Sequence, residues 1–368
     1  MLDAMREAAG HFVDMTELQT RASAIIARHT GAEAGIVTGG AAAALTLATA
    51  ACLARFDVRI MERLPAIDDE PNEVIMFRAH RNAYDHAIRA AGARIVDVGF
   101  NDIAIGSGVR GLEAWEIESA ITSRTVAVAF TAGPPGQASL AMVCRTAAQH
   151  GLPVIVDAAA QLPPKENLRR FIDEGAALVA ISGGKALRGP QGTGLLCGRR
   201  DLVASALIQQ LDMDISPATW SPAEGLIPDE LRRRPPHHGI GRGFKVDKES
   251  IVGLLTALEL FETRDLASET EAMIRELTAV SEALAGSQHV SCEVVTGRHY
   301  PGLKLSFGTT CGGPDALTVS SELQRLAKPI HLSERWASNN ILFVDPAGLR
   351  AGDGAAIGRA VRALVPGG

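Results

Sequence analysis

Ile181-Ser182-Gly183-Gly184-Lys185-Ala186-Leu187-Arg188-Gly189-Pro190-Gln191-Gly192 is the stretch that decides the fold. An apolar run, residues 176–181, leads into it, and a single lysine follows among glycines and small side chains. That pattern reads as a strand delivering Lys185 to a confined site, where missing Cβ atoms let a planar group approach the backbone. A solvated loop lysine is the competing reading, and it leaves Gly183, Gly184 and Gly189 unexplained.

Working outward, short apolar runs alternate with helical stretches. Strands are expected at 74–77, 94–98, 125–130, 153–156 and 177–181, with helices at 41–54, 83–91, 112–120, 139–150 and 167–174. Such alternation implies a largely parallel sheet covered on both faces, the α/β class. Ligands in such sheets sit beyond the carboxyl ends of the strands. Thr38-Gly39-Gly40, His80, Asp157 and the Lys185 stretch all fall just past strand ends. Residues 4–28 read as an amphipathic helix interrupted at 10–14, with Gly31 as its C-cap. Residues 213–245, rich in proline, arginine and histidine, read as a long loop. A helix over 248–284, strands at 289–296, 302–307 and 341–344, and helices at 314–327 and 352–364 form a smaller α+β part. The expected organisation is an N-terminal helical segment (1–30), a large domain (31–247), and a linking helix with a small C-terminal domain (248–368).

The 368 residues exceed one ordinary core, and a 46% hydrophobic content fits a globular chain. A net charge of −6 argues against a nucleic-acid partner. Cys52, Cys144, Cys197, Cys292 and Cys311 are odd in number and form no CxxC, which counts against a metal centre or a disulfide framework. With no signal-peptide pattern and no apolar run long enough to span a bilayer, the expectation is a cytoplasmic protein without membrane attachment. GxSxG, Walker A and zinc spacings are absent, and Gly106-Ser107-Gly108 does not follow a strand as a dinucleotide fingerprint requires.

Each candidate site residue carries two readings. Thr38-Gly39-Gly40-Ala41 opens a helix, so its backbone N–H groups can bind phosphate; a tight packing turn explains it equally well. Asp157 ends a strand, where a carboxylate can pair with a protonated pyridine nitrogen or cap the next helix. Ser182 can donate its hydroxyl to a phosphate. His80 can stack on an aromatic ring or move protons, or can sit in the core; His86 on the next helix reads as structural. Gln161 can reach a phenolic oxygen unless helix register carries it away, and Gly133-Pro134-Pro135-Gly136-Gln137 can touch a ring edge. In the glycine-rich cationic stretch 237–246, His238, Arg242 and Lys245 can bind a substrate carboxylate or phosphate, or a neighbouring subunit's cofactor phosphate; a charged hinge between domains is the alternative. Arg232, Arg233 and Arg234 read as a solvated run. Arg298, Arg335 and Arg350 are further candidates for the carboxylate, ranked behind Arg242. An amine in a confined site, an acid for a ring nitrogen and a phosphate cradle together point to pyridoxal 5'-phosphate in Schiff-base linkage to Lys185.

These same residues carry a family resemblance. Thr38-Gly39-Gly40-Ala41-Ala42-Ala43-Ala44-Leu45, His80-Arg81-Asn82-Ala83-Tyr84-Asp85, Val156-Asp157-Ala158-Ala159-Ala160-Gln161-Leu162-Pro163-Pro164 and 182–191 resemble fold-type I pyridoxal-phosphate enzymes. Within that aspartate-aminotransferase-like superfamily they are most similar to the selenocysteine-synthase-like group, and there to the D-glucosaminate-6-phosphate ammonia-lyase type. The resemblance covers nearly the whole chain. It implies a cofactor linkage at Lys185, a pyridinium partner at Asp157, phosphate contacts from Gly39, Gly40, Ala41 and Ser182, and ring stacking by His80. It also implies a homodimer or higher homo-oligomer with shared active sites. The activity implied is α,β-elimination on a 2-amino-3-hydroxy acid, such as a phosphorylated amino sugar acid, giving a 2-keto acid and ammonia. The alternatives are a racemase or epimerase, an aminotransferase, a selenocysteine-synthase-like transferase and a non-catalytic homologue. One departure bears on substrate binding: family members carry a small-residue Asn-Ala-Ser-Gly-like motif before the first helix, and residues 1–30 show none.

Overall fold

The computed structural model describes residues 1–100, 111–133, 139–233, 235–296, 299–308 and 313–365. The readings placed on Gly106-Ser107-Gly108, on Pro134, Pro135, Gly136 and Gln137, and on Arg234, Arg298 and Cys311 lie outside these residues. The chain divides into two compact units, Met1–Thr263 and Arg264–Gly368.

The first unit begins with α1 (Leu2–Ala9), α2 (Met15–Thr30), β1 (Ala34–Thr38), α3 (Ala41–Ala54), α4 (Val58–Arg63), β2 (Glu73–Phe77), α5 (Asp85–Ala90), β3 (Arg94–Val98) and α6 (Ala114–Ala120). It continues with β4 (Thr125–Thr131), α7 (Leu140–Gln149), β5 (Val154–Asp157), α8 (Asn167–Asp173), β6 (Leu178–Ser182), β7 (Gly194–Gly198), α9 (Arg200–Gln210), α10 (Asp229–Arg233) and α11 (Lys248–Thr263). The second unit holds α12 (Leu266–Ala283), β8 (Val290–Val295), β9 (Gly302–Phe307), α13 (Ala316–Gln324), β10 (Ser333–Trp336), β11 (Ile341–Val344) and α14 (Asp353–Leu364).

Among the described residues the first unit's sheet has the order β1-β7-β6-β5-β4-β2-β3. Its strands run parallel from β6 to β3, and β7 is antiparallel to both of its neighbours. The second unit carries an antiparallel sheet, β10-β11-β9-β8. The α/β reading holds. β7 escaped the sequence reading because its Leu195-Leu196-Cys197 core is framed by glycines that look like loop.

The first unit is built around α3. Its residues from Ala43 to Ala54 are buried, and small side chains on every face let strands and helices close around it. Gly31 ends α2 as expected, with φ +72 and its N–H bonded to the Ala27 carbonyl at 2.8 Å. Three expectations need correction. The helix expected over 248–284 breaks at Thr263, and α12 restarts with the Asp265 carboxylate capping the Ser268 N–H at 3.1 Å. The stretch 213–245 is partly core: Leu226, Ile227 and Leu231 are buried, and α10 forms within it. Arg232 is not solvated; its guanidinium donates to the carbonyls of Ile227 (3.1 Å) and Ala223 (3.2 Å).

At the end of the sheet away from the carboxyl ends, the buried Glu73 accepts the Thr122 hydroxyl at 2.7 Å and pairs with Arg94. The Thr122 hydroxyl, and after it Arg94, hold its pKa below the ordinary carboxylate range. A depressed folded-state pKa means this stabilisation is present above the unfolded-chain value and is lost as pH falls through the folded one. Glu73→Ala is therefore expected to cost roughly 1–3 kcal/mol at pH 7. The gap from wild type should narrow near pH 3, as read from urea unfolding at both pH values.

Candidate active site

The carboxyl edge of the first unit's sheet gathers the residues that the sequence singled out. Thr38 on β1 and Ser182 on β6 both stand opposite Gly194 of β7. Asp157 ends β5, paired with Ala180 on one side and Thr131 of β4 on the other. Strands lie about 4.8 Å apart, so Thr38, Gly194 and Ser182 form one row, and Asp157 and Thr131 continue it two residues back, level with Ala180 of β6.

At one end of the row the backbone turns into α3. Thr38 is fully buried and its hydroxyl donates to the Gly40 carbonyl at 2.9 Å, fixing the turn. Gly40 has φ +114, and a Cβ built on it would meet nothing within 4 Å, so the turn opens on free space. Gly39 is required for a different reason: the Phe244 carbonyl lies 2.7 Å from where its Cβ would be. Gly194 likewise leaves room for the turn, since a Cβ there would stand 2.5 Å from the Gly40 carbonyl carbon and 2.7 Å from the Ala41 nitrogen. The first N–H groups of the 14-residue α3 start beside this open hollow, and N–H groups at a helix start can hold an anion.

Asp157 sits in the middle. Its Oδ1 accepts the Ala159 N–H at 3.1 Å, closing a local turn. It does not cap a helix, because α8 begins only at Asn167. Burial pushes its pKa up, while the Ala159 N–H and the charge of Lys185 pull the other way. Lys185 is exposed in the β6–β7 connection, close enough for its charge to act on Asp157. A half-buried acid whose pKa is raised by burial would be stabilised as a carboxylate by a close cationic partner. A protonated ring nitrogen would be one, an amine beside it would carry the ring, and the hollow at Gly40 would take a phosphate. The residues present therefore fit pyridoxal phosphate.

His80 follows β2 and is 3% exposed. Its ring meets the edges of Phe77 and Phe130 at centroid distances of 4.9 and 4.6 Å. The Thr131 N–H donates to its Nδ1 at 3.2 Å, so the imidazole holds its proton on Nε2. His86 is exposed on α5. Gln161 lies at the same edge, with its amide donating to the Ala132 carbonyl at 2.8 Å.

The cationic stretch is more committed than its sequence suggests. Arg242 donates to Asp212 at 2.6 Å, His238 Nε2 lies 3.2 Å from Asp214, and His237 Nδ1 lies 2.7 Å from Glu62. Lys245 is exposed and, among the described residues, meets no carboxylate. The turn Ile240–Phe244 does pack over Gly39, which brings this stretch to the Gly40 hollow. Arg335 and Arg350 belong to the second unit.

Sequence reasoning missed several supporting residues. Asn82 donates to the His80 carbonyl at 2.9 Å, and Thr131 joins His80 to the Asp157 strand. Arg81 pairs with the buried Asp85 and, at 2.7 Å, with Asp97. The i,i+4 spacing of Arg81 and Asp85 was a readable signal; Thr131 depends on strand register and was not.

No family model matches the chain. It is 30% identical over 367 residues to 5'-C-glycyluridine monooxygenase-decarboxylase from Streptomyces sp, covering 95% of this chain and 81% of the relative. It is 27% identical to D-glucosaminate-6-phosphate ammonia lyase from Salmonella typhimurium, covering 97% and 88%. A solved structure of D-glucosaminate-6-phosphate ammonia-lyase, 26% identical, superposes with a TM-score of 0.78 over 98% of this chain and 89% of its own. A Thermus thermophilus aspartate aminotransferase, 16% identical with a TM-score of 0.50, shares the fold. With a strand-end amine, a half-buried acid and an open hollow at a helix start on an aminotransferase-like sheet, the chain belongs with these two relatives to one family of pyridoxal-phosphate-dependent fold-type I enzymes.

Proposed function

We propose that this enzyme is a lyase that converts a 2-amino-3-hydroxy acid to a 2-keto acid and ammonia. The observation that carries the reading is the placement of Lys185 beside Asp157 on the carboxyl edge, in a fold that superposes along its length on an ammonia-lyase. D-glucosaminate is itself a 2-amino-3-hydroxy acid, which makes a hydroxylated amino acid, phosphorylated or not, the first substrate class to test.

Bound pyridoxal phosphate supplies an electron sink for the pair left when the α-proton departs. The chain's residues do the rest. The N–H groups at Gly39, Gly40 and Ala41, with the Ser182 hydroxyl and the turn set by Thr38, bind the phosphate. Asp157, as a carboxylate, holds the proton on the ring nitrogen. Lys185 Nζ would hold the ring and, freed by the substrate amine, would accept the α-proton. The Lys185 ammonium would give that proton to the β-hydroxyl, which leaves as water, and the neutral amine would then retake the ring from the substrate nitrogen; the enamine so freed hydrolyses to the keto acid and ammonia. A positioned base of this kind contributes about 10²–10⁴-fold. His80 presents Nε2–H, so it orients or donates, and its Nδ1 takes no proton while it accepts from Thr131. Gln161, its amide engaged by the Ala132 carbonyl, would border the ring edge. On the substrate side Lys245 is the ready cation, whereas Arg242 and His238 bind an incoming carboxylate or phosphate only by exchanging it for Asp212 and Asp214.

A second reading has its own support. The 30% relative is a monooxygenase-decarboxylase of 5'-C-glycyluridine, a glycyl amino acid. One panel of 2-amino-3-hydroxy acids separates the readings. Ammonia and keto acid without O2 uptake support the lyase. O2 uptake with CO2 release supports the oxidative decarboxylase, and solvent deuterium entering the α-carbon without ammonia supports a racemase. We further propose a homodimer or higher homo-oligomer in the cytoplasm, which sedimentation and fractionation test.

The cradle makes its own prediction. Gly194→Ala puts a methyl against rigid backbone at Gly40 and Ala41. Pyridoxal phosphate should then bind roughly tenfold more weakly, as measured by absorbance titration of the apo-protein.

A further inference from the structure

Nothing in the lyase reading gives the N-terminal helix a role, yet it reaches the lysine-bearing connection. Residues 183–193 turn back on themselves: Gly183 N–H bonds the Thr193 carbonyl at 2.9 Å, and Gly189 N–H bonds the Gly183 carbonyl at 2.9 Å. The Thr193 hydroxyl donates to the Pro190 carbonyl at 2.6 Å. This turn rests on α11. Leu254 Cδ1 lies 2.6 Å from where a Cβ on Gly183 would stand and 2.8 Å from the same point on Gly189. One residue earlier on α11, Gly253 leaves a notch into which two side chains reach. Met5 of α1 places Cγ and Sδ 2.8 Å from the absent Cβ, and Pro190 places Cγ 2.9 Å from it.

We infer that Met5 is a positioning residue for the cofactor lysine: through the Gly253 notch it props Pro190, and so holds the connection that presents Lys185. The inference rests on Lys185 being that lysine. No residue of α1 is buried, so the helix is held lightly and its loss would leave the sheet intact. Leu254 packs under the connection at Gly183 and Gly189, and Pro190 is the point at which its outer turn meets the Gly253 notch that Met5 fills. Methionine fills such an irregular gap well, and alanine would empty it.

The test compares full-length wild type with Met5→Ala, Met5→Leu, Gly253→Ala and Lys185→Ala, each loaded with pyridoxal phosphate. Met5→Ala should release the cofactor roughly three- to tenfold faster. It should also weaken the circular dichroism of the bound chromophore and speed amide exchange over 183–193, leaving peptides from β5 and α3 unchanged. Met5→Leu should restore all three signals. Gly253→Ala should match Met5→Ala in cofactor release even though alanine favours the helix, a split between stability and cofactor fixation that a purely structural contact would not produce. A chromophore that persists in Lys185→Ala overturns the lysine assignment and the inference with it. A chromophore that needs Lys185 but is held equally by wild type, Met5→Ala and Gly253→Ala, with unchanged exchange over 183–193, overturns the inference alone.

Discussion

Lys185→Ala is expected to lose the visible absorbance of lysine-bound pyridoxal phosphate and to turn over at least roughly 10³-fold more slowly than wild type. Both effects have one origin. In the proposed mechanism the amine that would carry the ring would also be the base for the α-proton, so one substitution would remove the attachment and the proton acceptor together. The fold should survive, because Lys185 is exposed at the turn between β6 and β7 and supports no core packing. Far-ultraviolet circular dichroism should match wild type while the visible band is gone. Added methylamine should restore a fraction of turnover, since it replaces the missing base. A variant that keeps the band and the rate would remove Lys185 from the mechanism.

The second large effect is expected at Asp157, and it has opposite signs in the two states of the protein. Without cofactor, burial raises the Asp157 pKa, so the folded chain binds a proton there that the unfolded chain releases at lower pH. Stability from this group is present at acid pH and is lost as pH rises from the ordinary carboxylate value through the raised one. Asp157→Asn removes that cost, and the apo-protein should melt about 1–2 °C higher at neutral pH. With cofactor, the same substitution leaves the ring nitrogen without its anion, weakening the electron sink. Turnover should fall roughly 10²–10⁴-fold. Thermal melts with and without pyridoxal phosphate check the sign change, which a residue that only closes a turn would not show.

Much of this site could be read in the chain because its parts are local. The run 176–181 into Lys185, the run 153–156 into Asp157 and the Thr38-Gly39-Gly40 turn each pair a strand with its terminal residue inside a short window. Parallel α/β order then places such ends on one edge without further information. What could not be read depends on register or distant pairing. Thr131 meets Asp157 and His80 only through the β4–β5 alignment. Arg242 looked like a free anion contact because Asp212, its partner, lies thirty residues earlier across an irregular stretch. β7 was hidden by its flanking glycines, although Gly194 is what lets α3 start against the sheet. The break after Thr263 carried a local signal, the Asp265 cap, that continuous helical periodicity on either side outweighed.

The central claim is that Lys185 is the residue that holds pyridoxal phosphate. It is tested most directly by reducing the cofactor-loaded protein with borohydride and mapping the modified peptide by mass spectrometry. The account predicts one pyridoxyl group, on Lys185, with Lys165, Lys245 and Lys248 unmodified. A pyridoxyl group on any other lysine, or none on a protein that shows the visible band, would contradict it.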